Sequence, residues 1–125
     1  MTARINFGYR LFNAPVVAGG WVPPAGAGLY AILIMDRLCH PQPFRPIYLG
    51  QAENYAERGF LKAHRKYWEW RAVADSDANL YVATYPMPRS TAATRAAAQA
   101  QLIEHYKPLC NERAEPVRPL RLAFA

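Results

Sequence analysis

The feature that most constrains the fold is a run of seven apolar residues, Leu29–Met35. A run of this length is too short to span a membrane and is typical of a buried strand. A second short apolar segment, Pro46–Gly50, follows after a connection that contains Pro41 and Pro43. Because proline has no backbone N–H, that connection cannot continue either strand. The two segments therefore predict a β-hairpin at the centre of the domain.

Three further elements follow the hairpin. Apolar residues at helical spacing predict a helix over Glu53–Lys66, and the run Leu80–Tyr85 predicts a third strand. An alanine-rich helix is predicted over Thr91–Tyr106, with Ser90 as its N-cap. The order strand, strand, helix, strand, helix predicts an α+β fold: a small three-stranded antiparallel sheet flanked by helices.

The length of 125 residues favours a single domain. We expect a core over residues 28–111, an N-terminal extension over 1–27 in which Arg4–Phe12 forms an extra strand, and a C-terminal tail over 112–125. The net charge of +6 makes a polyanion a reasonable partner. The two cysteines, Cys39 and Cys110, are too few for a disulfide framework or a four-ligand zinc site. We therefore expect a reduced, cytoplasmic setting and no membrane partner.

An ordered set of short motifs is more specific than the composition. Gly28-Leu29-Tyr30 opens the first strand, Tyr48-Leu49-Gly50 closes the second, and Arg58 follows on the next helix. Leu102-Ile103 and then Asn111 come near the end of the core. The set resembles the GIY-YIG nuclease family, with leucine in place of isoleucine in both tripeptides. The resemblance covers residues 28–111.

This resemblance implies that a DNA phosphodiester is hydrolysed with one divalent metal ion, Mg²⁺ or Mn²⁺. Tyr30 matches the tyrosine that helps to activate the attacking water, and Tyr48 matches a second tyrosine near the scissile phosphate. Arg58 matches an arginine that stabilises charge on the phosphate, a task that suits its planar set of donors. Asn111 matches an asparagine that ties the C-terminal loop to the site.

The main departure from the family concerns its metal ligand, a glutamate three residues before the Leu-Ile pair. Gln99 occupies that position here. Helical spacing places Gln99 on one stripe with Ala92, Ala96, Ile103 and Tyr106, so we expect its side chain to point inward. A neutral amide is a weak ligand for Mg²⁺ or Mn²⁺, so we expect weak metal binding and slow hydrolysis.

Three interpretations of Gln99 remain open. The residue can be natural in a degenerate domain that binds without cutting, or it can be an engineered replacement of glutamate. It can also be natural in an enzyme that takes its metal ligand from elsewhere. Glu104 lies about 140° further round the helix and is a poor substitute.

The segment after Arg58 contains a further catalytic candidate and a basic, aromatic stretch. We interpret His64 as an acid–base helper, although a regular helix would place it on the flank opposite Arg58. The interleaving of cations and rings is typical of nucleic-acid contacts, and packing of the two tryptophans onto the sheet is the alternative. The candidate contacts are Lys62, Arg65, Lys66, Trp68 and Trp70.

The sequence thus predicts a metal-dependent DNA endonuclease domain that Gln99 disables. The alternative is a non-catalytic nucleic-acid-binding module on the same fold, and a third hypothesis is a protein-interaction domain. DNA is the expected partner, RNA is the alternative, and a protein partner would supply targeting.

Overall fold

The computed structural model describes residues 4–39, 42–58 and 61–111, with Arg58 described by its backbone alone. The predicted tail over 112–125 lies outside the described residues. The strands are β1 (Ile5–Phe7), β2 (Arg10–Phe12), β3 (Val16–Val17), β4 (Gly28–Met35), β5 (Phe44–Ala52) and β6 (Tyr81–Pro86). The helices are α1 (Tyr55–Arg58), α2 (Tyr67–Ala74) and α3 (Ala92–Tyr106).

Four strands form an antiparallel sheet in the order β3-β6-β4-β5, and β1 and β2 form a separate hairpin. The predicted central hairpin is confirmed, because β4 pairs with β5 and places Tyr30 opposite Gly50. The predicted third strand is confirmed as β6, which pairs with the other side of β4 and places Thr84 opposite Tyr30. The two-residue strand β3 is an addition to the predicted sheet. The predicted α+β class is confirmed.

Both faces of the sheet are covered. Because alternate side chains of a strand point to opposite faces, this explains why β4 is apolar along its whole length. We call the side packed against α1 and α2 the α2 face, and the side packed against α3 and the β1–β2 hairpin the α3 face. The buried side chains of the α2 face include Trp21, Tyr30, Ile32, Ile47, Tyr48, Tyr55, Tyr67, Trp70 and Leu80. The α3 face buries Ile5, Phe7, Phe12, Leu29, Ala31, Leu33, Leu49, Ala83, Ala98 and Leu102.

The N-terminal segment contributes to this core. Ile5, Phe7 and Phe12 are buried on the α3 face, and the ring of Phe7 meets the ring of Tyr106 edge to face at 5.5 Å. Trp21 is buried on the α2 face. The expected extra strand over Arg4–Phe12 is two strands joined by a tight turn. The segment expected as an extension therefore supplies apolar surface to both sides of the sheet.

The predicted helix over Glu53–Lys66 is wrong from Leu61 onward, and residues 59–60 lie outside the described part of the chain. A 3-10 turn follows at Leu61–Ala63, and α2 begins only at Tyr67. A contribution at the end of this stretch comes from His64, whose Nδ1 accepts the backbone N–H of Lys66 at 3.0 Å. Because a continuous α-helix would use that N–H to bond the carbonyl four residues earlier, this side-chain bond diverts the chain from the helical path.

The helix α3 begins one residue later than predicted. Thr91, not Ser90, is the N-cap: its hydroxyl accepts the N–H of Thr94 while the Thr94 hydroxyl accepts the N–H of Thr91. This reciprocal arrangement satisfies two backbone donors at the start of the helix. Within the described ranges, no helix is long and apolar enough to cross a membrane.

Candidate functional site

Several of the predicted site residues meet around one end of β5, the edge strand that pairs with β4 in the sheet. A cleft of about 250 Å³ opens there between α3 and the segment that leads into α2. Its described lining residues come from four different parts of the chain. They are Tyr48, Arg65, Lys66, Ala96, Gln99, Ala100, Ile103 and Asn111.

Tyr30 lies next to this cleft because the backbone of β5 leaves room for its ring. Position 50 is a glycine, and a Cβ built there would overlap the Tyr30 ring. The ring crosses the strand at this point and brings the hydroxyl oxygen within 3.1 Å of His64 Nε2. The glycine that closes the second tripeptide therefore positions the tyrosine that ends the first.

The hydrogen bonds of His64 fix which of its ring nitrogens carries the proton. Nδ1 accepts the Lys66 N–H, so a neutral imidazole must carry its proton on Nε2. Nε2–H then donates to the hydroxyl oxygen of Tyr30. This geometry directs a fixed hydrogen-bond donor at the oxygen that the sequence analysis assigned to activation of water.

His64 sits within a group of aromatic rings on the α2 face. Its ring centroid lies 4.6 Å from that of Trp70 and 5.4 Å from that of Tyr48. The Tyr48 and Tyr30 centroids are 6.1 Å apart. The structure therefore brings together three of the predicted catalytic residues, Tyr30, Tyr48 and His64. The side chain of Arg58, the fourth, lies outside the described residues, and its backbone ends α1.

Asn111, the last predicted catalytic residue, binds the open edge of β5. Its side-chain oxygen accepts the Leu49 N–H at 2.8 Å, and its Nδ2 donates to the Leu49 carbonyl at 2.9 Å. The preceding residue, Cys110, donates its N–H to the Ile47 carbonyl at 2.8 Å. The chain after α3 is thus paired with β5 much as a further strand would be.

Gln99 reaches the same carbonyl from the other side. Its Nε2 donates to Leu49 O at 3.0 Å, which fixes the orientation of the amide. The stripe predicted to be inward is wrong, because Arg95, Ala98 and Leu102 are the buried residues of α3, but the Gln99 side chain itself does reach the sheet. Gln99 is half-buried on the flank of the helix beside the cleft. The buried side of α3 is centred about one residue earlier in the sequence than the predicted stripe, so Gln99 lies beside that buried side.

The predicted nucleic-acid contacts divide into exposed and buried residues. Lys62, Arg65 and Trp68 are exposed, and the Trp68 side chain keeps 74% of its surface accessible. Trp70 is completely buried, so its ring cannot stack on a base, and the alternative of packing onto the sheet describes it correctly. Its indole Nε1 has no hydrogen-bond partner among the described residues.

Lys66 is also buried, being only 7% exposed, yet it lines the cleft. Its Nζ forms an ion pair with Glu69 on the first turn of α2, at 3.4 Å. This predicted nucleic-acid contact therefore lies at the cleft with little of its surface exposed.

Arg95 is a charged core residue that the sequence analysis missed. It is 3% exposed, and its guanidinium donates to Gln51 Oε1 at 3.0 Å and to the Ser90 carbonyl and hydroxyl at 3.0 and 2.9 Å. Spacing offered a signal, since Arg95 precedes the buried Ala98 and Leu102 by three and seven residues. The bond matters here because it holds Gln51, which directly follows Tyr48-Leu49-Gly50.

The cysteine beside the cleft is not a reactive thiol. Burial raises the pKa of Cys110, and the negative charge of Glu69 raises it further, whereas the charge of Lys66 lowers it. The thiol therefore remains protonated at neutral pH, so it is a poor nucleophile and a poor metal ligand.

The cleft does not fit a divalent cation. Among the described residues that line it, none is an aspartate or glutamate, and the described part of the chain contains no cluster of three or more His, Cys, Asp or Glu that could hold a metal. Both amide atoms of Asn111 are bonded to Leu49. Hard divalent cations require oxygen ligands, above all carboxylates, and here Gln99 offers one neutral oxygen beside two cationic side chains.

Comparison with known proteins extends this description. No family model matches the chain, and no curated protein matches it. A solved structure that is similar is the GIY-YIG N-terminal endonuclease domain of UvrC from Thermotoga maritima, in a point-mutant form bound to its catalytic divalent cation. The identity is 22%, the match covers 74% of this chain and 89% of that chain, and the TM-score is 0.48. At this identity and TM-score the likeness assigns neither a family nor an activity to this chain.

Proposed function

We propose that this chain is a GIY-YIG-type domain that holds a DNA phosphodiester at the cleft beside β5 and cleaves it slowly or not at all. The convergence of Tyr30, Tyr48, His64, Gln99 and Asn111 on this one strand end carries the proposal. These residues are separated by up to 81 positions in the chain, and the resemblance assigned all of them except His64 to one site. Arg58 belongs to the proposal through the resemblance alone.

Tyr30 is the group that this site offers for activation of a water molecule. His64 Nε2–H donates a hydrogen bond to the Tyr30 oxygen and so holds it in place, and it is the deprotonated form of this hydroxyl that would accept a proton from water. Tyr48, next to it, places a second hydroxyl toward the cleft where the phosphate would lie. In related enzymes a bound divalent cation supplies charge stabilisation at the phosphate.

Gln99 is the reason we propose little cleavage. Without a carboxylate, the described lining residues give no site for the divalent cation that such hydrolysis requires. The amide is moreover engaged as a donor to Leu49 O. A glutamate at position 99 in the same orientation would place a carboxylate oxygen against that carbonyl oxygen, so it would have to turn toward the cleft.

Nicking of supercoiled plasmid with Mg²⁺ or Mn²⁺ tests the proposal. We expect no nicking by the unchanged protein, nicking by Gln99→Glu, and loss of that nicking when Tyr30→Phe is added. Gln101→Glu is the matched control, because Gln101 is exposed on the same helix and bonds Arg10 instead of β5. Nicking by Gln101→Glu to the same extent as by Gln99→Glu would show that a carboxylate at position 99 is not responsible.

A non-catalytic binding module is the second candidate function. The donor role of the Gln99 amide favours it, because this residue has a structural partner that a metal ligand would not need. If Gln99→Glu binds DNA as the unchanged protein does but never nicks it, this result contradicts the catalytic roles of Tyr30 and Tyr48 and supports the binding module. If the protein binds RNA in place of DNA, the proposed substrate changes but the proposed site does not.

A further inference from the structure

The most unusual group at the cleft is the ammonium of Lys66. Lysine is rarely buried, and a buried ammonium is tolerated when it is paired. Lys66 is 7% exposed, and among the described residues its Nζ partner is Glu69, whose own side chain is 57% exposed. An ammonium has three N–H donors, so this pair leaves two of them for another acceptor.

The surroundings of this ammonium favour an anion over a cation. Arg65 adds a second cationic side chain to the lining, and no carboxylate belongs to the described lining residues. Tyr48 contributes a hydroxyl, and the amide groups of Gln99 and Asn111 are anchored to Leu49. The cleft is thus a positively charged pocket at the position where the resemblance leads one to expect a metal ion.

We propose that this cleft binds a phosphate group directly, without a divalent cation, and that the Lys66 ammonium supplies the positive charge. This inference rests on the proposed function and specifies how its substrate is held. Glu69 competes with the phosphate for Lys66, because both are anions within reach of the same Nζ. The exposure of Glu69 makes this exchange feasible, since water can solvate the carboxylate when the phosphate replaces it.

Affinity for a short fluorescent DNA duplex, measured by anisotropy in EDTA over a range of salt concentrations, tests the inference. We expect binding to persist in EDTA. Lys66→Met should weaken it several-fold and reduce the slope of log affinity against log salt by about one, as for loss of one phosphate contact. Glu69→Gln should strengthen binding, because it removes the competing anion. The thermal midpoint of each variant confirms that it is folded.

The chain supplies a matched control pair. Lys107 and Glu104 are also three residues apart and also have an N–O distance of 3.4 Å, but Lys107 is 62% exposed and lies outside the cleft. Lys107→Met and Glu104→Gln change the net charge by the same amounts. If the Lys107 and Glu104 variants alter DNA affinity as much as the Lys66 and Glu69 variants do, binding reflects overall charge and the inference is overturned.

Two further outcomes separate the inference from the proposed function. Binding that requires Mg²⁺ and is lost in EDTA overturns the inference and leaves a metal-dependent function in place. If DNA does not bind at all, a titration with inorganic phosphate tests whether the phosphate site exists. The Gln99 side-chain amide is then observed by NMR. A shift of that resonance that Lys66→Met abolishes retains the phosphate site and removes DNA as the substrate. An unchanged resonance overturns both.

Discussion

The two faces of the sheet are stabilised by different kinds of contact. On the α2 face, aromatic side chains carry polar groups: Tyr55 donates to the Leu29 carbonyl at 2.6 Å, Tyr67 donates to Asp77, and Tyr30 bonds His64. On the α3 face, contacts between apolar side chains predominate. Hydrogen bonds are directional whereas apolar packing is not, so the α2 face fixes the positions of reactive groups. The α3 face holds α3 against β5 and thereby brings Gln99 to the strand edge.

The largest expected effects test whether both faces support the fold equally. Phe12→Ala on the α3 face and Trp70→Ala on the α2 face each remove a fully buried aromatic ring. Each should lower the free energy of unfolding by about 3–5 kcal/mol, measured by urea denaturation. DNA affinity, measured where both variants remain folded, should fall for Trp70→Ala because its ring packs against His64 and Tyr48, and should be unchanged for Phe12→Ala. Equal loss of affinity in both would contradict the division of roles.

A smaller effect is expected from Tyr55→Phe, which removes one buried hydroxyl from the α2 face. The Leu29 carbonyl loses its partner, and we expect a loss of about 1–2 kcal/mol in the free energy of unfolding at pH 7. Burial raises the pKa of Tyr55. A raised folded pKa gives stability that is fully present below the unfolded value and is lost as pH rises above about 10.

Urea denaturation at neutral and alkaline pH checks both parts of this prediction. The difference between the unchanged protein and Tyr55→Phe should shrink from neutral to strongly alkaline pH. A difference that stays constant would mean that the hydroxyl ionises equally easily in the folded and unfolded chains. Tyr81→Phe is a suitable control, because Tyr81 is partly exposed on β6.

Tyr30→Phe should have a still smaller effect on stability, about 0.5–1.5 kcal/mol, since its hydroxyl bonds another side chain in a partly buried position. Its sharper consequence concerns His64. Because the Lys66 N–H fixes the tautomer, ¹⁵N NMR should show Nε2 protonated in the unchanged protein and in Tyr30→Phe alike. A change of tautomer in the variant would mean that Tyr30, and not the backbone, orients the imidazole.

The smallest effect is expected for Trp68→Ala. This side chain is largely exposed, so the free energy of unfolding should change by no more than about 0.5 kcal/mol. If Trp68 stacks on nucleic-acid bases, affinity for single-stranded DNA should nevertheless fall, and a single base–ring stack is worth about 1–3 kcal/mol. Unchanged affinity in an anisotropy titration would show that Trp68 takes no part in binding.

The sequence predicted the elements whose signals are local. The apolar run at Leu29–Met35, the prolines that follow it and the alanine-rich helix each indicate their structure within a few residues. The departure from a helix over Leu61–Lys66 was not predictable in this way. It includes a bond from the Lys66 backbone to the His64 side chain, which competes with the helix and leaves no trace in apolar spacing.

Several residues of the candidate site could be predicted from the sequence, but their hydrogen bonds and burial could not. Motif order brought Tyr30, Tyr48, His64, Gln99 and Asn111 to attention, and these residues do lie around one strand end. The hydrogen bond from the Gln99 amide to the Leu49 carbonyl could not be predicted, because it depends on how α3 is rotated against the sheet. The burial of Lys66 was also not predicted, because it depends on the turn before α2.

The pairing of Asn111 with Leu49 also affects how this protein meets other copies of itself. An unpaired edge strand offers a row of backbone donors and acceptors on which another chain can add a strand. Here the Asn111 side chain and the Cys110 N–H occupy three of those groups, at Leu49 and Ile47 of β5. At the opposite edge, β3 is only two residues long. Neither edge presents a long uninterrupted template, which protects the domain against aggregation through strand addition.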